Sequence, residues 1–228
     1  MVGIISASIA PGLALLVFFY LKDRFDSEPF SLVFKSFALG ALLVFPIMFI
    51  QYAFMVEGIG QNPIVSSFLL SGLLEEFFKW FIFLYAVYKH VSFNYHYDGI
   101  VYGVAISLGF ASLENLLYLL ANGIEYAIAR AIFPVSSHAL FGVIMGYYIG
   151  KTKFKDKNSK TMLLLAFLIP TLLHGFYDFV LETIQSNWIY VMIPFMIFLW
   201  SYSLRKVKLA NYNQPIEGPV LIERQKNI

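Results

Sequence analysis

Two adjacent carboxylates and an ammonium, Glu75, Glu76 and Lys79, lie inside the apolar run 65–88. Glu114-Asn115, His138, His174 and Asp178 stand in stretches that are just as apolar. A carboxylate taken out of water can act as a general base near neutral pH and activate water against a peptide carbonyl. A histidine or asparagine can then stabilise the oxyanion. Two histidines and a glutamate can also form a catalytic zinc set with a fourth position open to water, for which His138, His174 and Glu76 are the candidates. Asp178 follows His174 at i+4, the spacing that lets a carboxylate orient an imidazole. Lys79 follows Glu75 at i+4, so an ion pair is expected on that helix face. Adjacent helical residues point about 100° apart, which lets one glutamate serve the chemistry while the other holds Lys79. Thiolate catalysis and a zincin-like site on one helix are excluded, and an intramembrane serine hydrolase is disfavoured. There is no cysteine, no H-E-x-x-H and no G-x-S-x-G, and Tyr177-Asp178 lacks the second, glycine-flanked aspartate of an aspartyl intramembrane protease.

Such groups must be positioned by membrane-spanning helices. The chain of 228 residues is 59% hydrophobic, 18% aromatic and only 13% charged, against roughly 25% charged in soluble domains. A helix that crosses the hydrocarbon core needs about 20 mostly apolar residues. Seven segments qualify: 3–21, 33–55, 65–88, 99–121, 131–150, 162–182 and 188–204. The fifth has the weakest start, where Pro134, Ser136, Ser137 and His138 crowd together. The expected fold is therefore an all-α polytopic bundle of about seven spans, with residues 1–204 in the membrane domain and 205–228 a polar tail. The first segment reads as a span rather than a cleaved signal peptide. The net charge of +2 is spread over short connections and forms no patch for nucleic acid.

Lys and Arg set the orientation. With the N-terminus outside and the C-terminus in the cytoplasm, fourteen of the sixteen fall inside, Arg130 alone falls outside, and Lys79 lies within a span. This topology puts Glu75, Glu76, Glu114, Asn115, His138, His174 and Asp178 at one depth, in the outer half of the membrane. Intramembrane charge costs about 2.5–3.5 kcal/mol per group on insertion scales, so such groups mark function. Gly142, Gly146 and Gly150 follow His138 at intervals of four; this small-residue face would draw another helix close and press the imidazole into the bundle.

These residues also carry a resemblance. Glu75-Glu76-x-x-Lys79, Phe110-x-x-x-Glu114-Asn115, His138-x-x-x-Gly142 and His174-x-x-x-Asp178, in this order, resemble the PrsW membrane proteases. The similarity extends to the opening ISASIAPGLALL, the KDRFDSEP connection and the VFPIMFIQY run. It implies membership of the wider group of CAAX-prenyl endopeptidases and bacteriocin-processing enzymes. There the first motif has three residues between the glutamates and an arginine, and a histidine stands where this chain has Glu114. It further implies a bacterial plasma-membrane enzyme. Its substrate would be a single-pass anti-sigma factor, cut at site 1 on the extracytoplasmic side so that a sigma factor is released under stress. A role for Glu75, Glu76, His138 and His174 in catalysis, with Lys79, Glu114, Asn115 and Asp178 in support, agrees with that expectation. Zinc remains open. The rival reading from the residues is a proton-coupled transporter using the same buried Glu/His cluster. A scaffold that only binds partners is a third, and four polar helices meeting at one depth speak against it.

Overall fold

The computed structural model describes residues 1–154 and 159–212. Lys155 and Lys157, which count in the charge asymmetry, and the tail beyond Tyr212 lie outside the described residues. Among those residues the protein is helical without strands: α1 (Val2–Tyr20), α2 (Phe30–Leu42), α3 (Val44–Val56), a π-helical segment (Val65–Leu73) running into α4 (Leu74–Ala86), and α5 (Asp98–Asn122). There follow a 3-10 turn (Ile124–Tyr126), α6 (Ala127–Arg130), a second π-helical segment (Ala131–Val135), α7 (Ser136–Phe154), α8 (Ser159–Thr183) and α9 (Ile189–Tyr212). Every one of the seven apolar segments falls on helix. Five stretches are long and apolar enough to cross a membrane: Val2–Tyr20, Phe30–Val56, Asp98–Asn122, Ile124–Phe154 and Ser159–Thr183. The other two expected spans are the charge-bearing 65–88 helix and α9, which continues to Tyr212 and so enters the stretch expected as tail.

The bundle is built around α5 and α7. Residues 98–112 and 135–150 are buried without exception, enclosed by α1, α2, α8 and α9, whose outward residues are large and apolar. Glycines permit the close α5–α7 approach. A Cβ on Gly99 or Gly103 would collide with the backbone carbonyls of Gly146 and Gly142, and one on Gly146 with that of Gly99. The glycine face after His138 thus has a matching glycine pair on α5. Gly72 and Gly175 play the same part between the first π segment and α8. Helix α5 ends at Gly123, whose φ of 107° is open to glycine and strained for other residues.

The connection from α1 to α2 is tied down. The Tyr97 hydroxyl donates to Phe19 O at 2.8 Å and that of Tyr20 to Glu28 O at 2.9 Å, while Tyr102 donates to the Glu28 carboxyl. Glu28 is 3% exposed. Burial, reinforced by the neighbouring charge of Asp98, pushes its carboxyl up to about 9.

Candidate active site

Glu75 and Glu76 open the first turn of α4, directly after the π segment, and His138 lies in the first turn of α7, directly after the second π segment. His174 and Asp178 lie on α8 beyond Pro170, which interrupts that helix's hydrogen-bond ladder. π-helical turns are over-represented at functional sites because the extra residue re-aims the side chains that follow. Here both such turns adjoin the charged residues.

The side chains form one continuous network. Lys79 Nζ donates to Glu76 Oε1 at 2.7 Å and to Glu75 Oε2 at 3.3 Å, and lies 3.2 Å from His138 Nδ1. It also sits 4.2 Å above the Phe110 ring. His174 Nδ1 lies 3.0 Å from Glu76 Oε1, and its Nε2 faces Asp178 Oδ2 at 3.3 Å and Glu75 Oε2 at 3.9 Å. His138 Nε2 lies 3.2 Å from Glu114 Oε2, and the two imidazoles meet edge to face at 4.9 Å. Phe141 stacks on His174 at 5.1 Å and fixes the ring plane.

The two glutamates differ. Glu76 and Lys79 are fully buried, and Glu76 is the tighter partner of both Lys79 and His174. Glu75 instead lines a cavity of about 100 Å³ together with Ser71, Glu114, His138, His174 and Asp178. The cavity lies at the end of the bundle where α5 ends and α7 begins. Of the residues singled out from sequence, all but Asn115, Glu76 and Lys79 reach it. Asn115 stands behind, bonded to Arg130 and to Ser8 O.

Three members were not picked out as site residues by sequence reasoning. Arg130, read only as the single outside cation, donates from Nε to Asn115 Oδ1 at 2.8 Å and from Nη2 to Glu114 Oε1 at 2.9 Å. It also stacks 4.0 Å from the Tyr118 ring. Ser71 donates to Asp178, and Tyr177 lines the cavity beside it. A lone arginine just before the apolar start of a span was the signal for the first. Ser71, one turn ahead of Glu75, was a weaker one.

Glu75, Glu76, His138 and His174 each offer one atom to a metal ion, and these atoms lie within 4.8 Å of one another. Glu76 Oε2 is buried without a protein partner. Two imidazoles and carboxylate oxygens are a donor set suited to catalytic zinc, so these residues fit such an ion. Lys79 touches three of the same four groups.

The chain matches the model of the PrsW family intramembrane metalloproteases over residues 28–202. It is 58% identical over 211 residues to a protein from Bacillus subtilis (strain 168) named "Protease PrsW", covering 92% of this chain and 96% of that one. A protein of the same name from Halalkalibacterium halodurans is 52% identical over 92% of this chain and 98% of its own. One from Clostridioides difficile (strain 630) is 35% identical over 92% of each. No solved structure matches the chain. The transporter reading is not favoured beside these relatives, all of which are named as proteases. With its buried carboxylates and histidines gathered around one cavity, the chain belongs to the PrsW family of intramembrane metalloproteases and is a membrane endopeptidase.

Proposed function

We propose that this endopeptidase makes the first cut in a single-pass anti-sigma factor, on the extracytoplasmic side of a bacterial plasma membrane that it crosses seven times with its C-terminus inside. The observation that carries the chemistry is the inequality of the glutamates: Glu75 faces the cavity while Glu76 is sealed behind it. Glu75 takes a proton from water as the water oxygen bonds to the scissile carbonyl carbon. His174, its Nδ1 held by Glu76, shares the Nε2–H that faces Asp178 with the developing oxyanion. The C–N bond then breaks, and Glu75 returns the proton to the leaving amine. His138 is positioned by Glu114 and Lys79, and Glu114 by Arg130. A zinc ion, if bound, would be held by His138, His174 and Glu76, leaving Glu75 free as the base, and would polarise the carbonyl or the water. The charge asymmetry and the place of the cavity at the end of the bundle near Arg130 support the extracytoplasmic cut.

The test is cleavage of a single-pass anti-sigma candidate by the purified, reconstituted protein, with and without chelator. Wild type should release the extracytoplasmic fragment and Glu75→Gln should not. Cleavage at wild-type rate by Glu75→Gln would overturn the assignment of the base. Cleavage of other single-pass proteins with the anti-sigma candidate left intact would overturn the substrate.

A further inference from the structure

Helices α1 and α9 run parallel and end together. Phe19 stacks on Trp200 at 6.2 Å, and Asn211 Nδ2 donates to Lys22 O at 3.1 Å. Beyond that contact lies a hollow of about 500 Å³ whose walls include Lys22, Arg24, Lys208, Leu204 and Val207. Among the described residues no acidic residue lines it and none of the three cations has an ion-pair partner. Lys22 Nζ lies 5.2 Å from the Phe18 ring. The protease chemistry is elsewhere and makes no use of this site. Three like charges gathered at one hollow repel each other, and an anion there would relieve the repulsion. The location names the anion. The hollow opens where α1 leaves its apolar stretch, beside Leu21, which is 73% exposed, and so at the depth of lipid headgroups.

We propose that this hollow binds the headgroup of an anionic glycerophospholipid. The phosphodiester lies among Lys22, Arg24 and Lys208, and the guanidinium offers it a two-pronged contact. Leu204 and Val207 meet the glycerol backbone and the start of an acyl chain. A zwitterionic lipid brings its own ammonium into the same three positive charges and is disfavoured. Basic pockets at membrane surfaces take anionic headgroups on this principle, each cation contributing about 1 kcal/mol.

Native mass spectrometry of the full chain, released from bilayers of equal phosphatidylglycerol and phosphatidylcholine, tests this. One phosphatidylglycerol should be retained per chain in preference to phosphatidylcholine. Lys22→Gln and Lys208→Gln should each lower that retention about fivefold, while Lys208→Arg keeps it and shows that the fold is intact. Lys89→Gln, at an exposed lysine away from the hollow, should leave retention unchanged. Equal retention of the two lipids, or an equal loss in Lys89→Gln, would overturn the proposal in favour of a diffuse surface charge effect or of occupation by the chain's own acidic tail residues. Displacement of the lipid by soluble glycerol phosphate would overturn it in favour of a free phosphate site.

Discussion

Lys79 carries its ammonium, without exposure to solvent, to Glu76, Glu75 and His138, three of the four groups that offer a zinc ion a ligand atom. Lysine and metal therefore compete for the same lone pairs. Zinc titrated into chelator-treated protein should bind Lys79→Met about tenfold more tightly than wild type, the equivalent of one partly screened charge contact. It should also raise the melting temperature of that variant more than that of wild type. Equal affinities by calorimetry would show that the lysine does not guard the donors. The glutamates part company in the same experiment series. Glu75→Gln should leave the protein folded and lower single-turnover cleavage by about 10²–10⁴-fold, the usual worth of a general base. Glu76→Gln strips Lys79 of its nearest partner and should lower stability as well, since breaking a buried pair costs about 3–5 kcal/mol. Equal melting temperatures for the two variants would contradict this division. The ionisable members were legible in sequence because charge in an apolar run is costly wherever the fold puts it. Which glutamate faces the cavity was not, because that depends on the turn of the preceding helix.

That turn is a matter of elements. Helical stretches were visible as apolar runs, but nothing in Val65–Leu73 announces a π-helix, since the wider turn is stabilised by packing against α8 rather than by residue type. Pro134 and its polar neighbours did mark an irregular start to the fifth span, and there the chain makes a 3-10 turn, a short helix and a π segment in succession. The glycine face of α7 was likewise legible, whereas its partner on α5 was not, because Gly99 and Gly103 become a matching pair only through the three-dimensional register. Gly146→Leu should abolish accumulation of folded protein in the membrane. Gly146→Ala should lower it, and unchanged abundance of both on immunoblots would show that the seam tolerates side chains. The tethered α1–α2 connection makes a pH prediction. Glu28 keeps its proton up to about 9 in the folded state and loses it near 4.5 when unfolded, so its contribution is fully present below about 4.5. It is lost as pH rises toward 9. Glu28→Gln should flatten the fall in melting temperature between those limits while keeping a partner for the Tyr102 hydroxyl. A slope equal to that of wild type would exclude Glu28 as its source.

At the scale of the whole molecule, the charge asymmetry makes a topological prediction. A reporter fused after Lys155 should be active in the cytoplasm, and one near Asn122 should report the outside; the reverse pattern would place the cavity on the other face of the membrane. The cavity itself constrains what can be cut. About 100 Å³ is the volume of about three water molecules at about 30 Å³ each, whereas an α-helix with its side chains is about 10–12 Å across. A substrate that arrives as a helix has all its amide carbonyls engaged and is too wide to present one of them to Glu75. The scissile bond must therefore lie where the substrate's helix has already ended or can be pulled apart, so the folding of the substrate, as much as its sequence, decides the rate. A proline or a glycine pair placed next to the cut site should speed cleavage, and a run of alanine and leucine that carries the helix through the site should slow it.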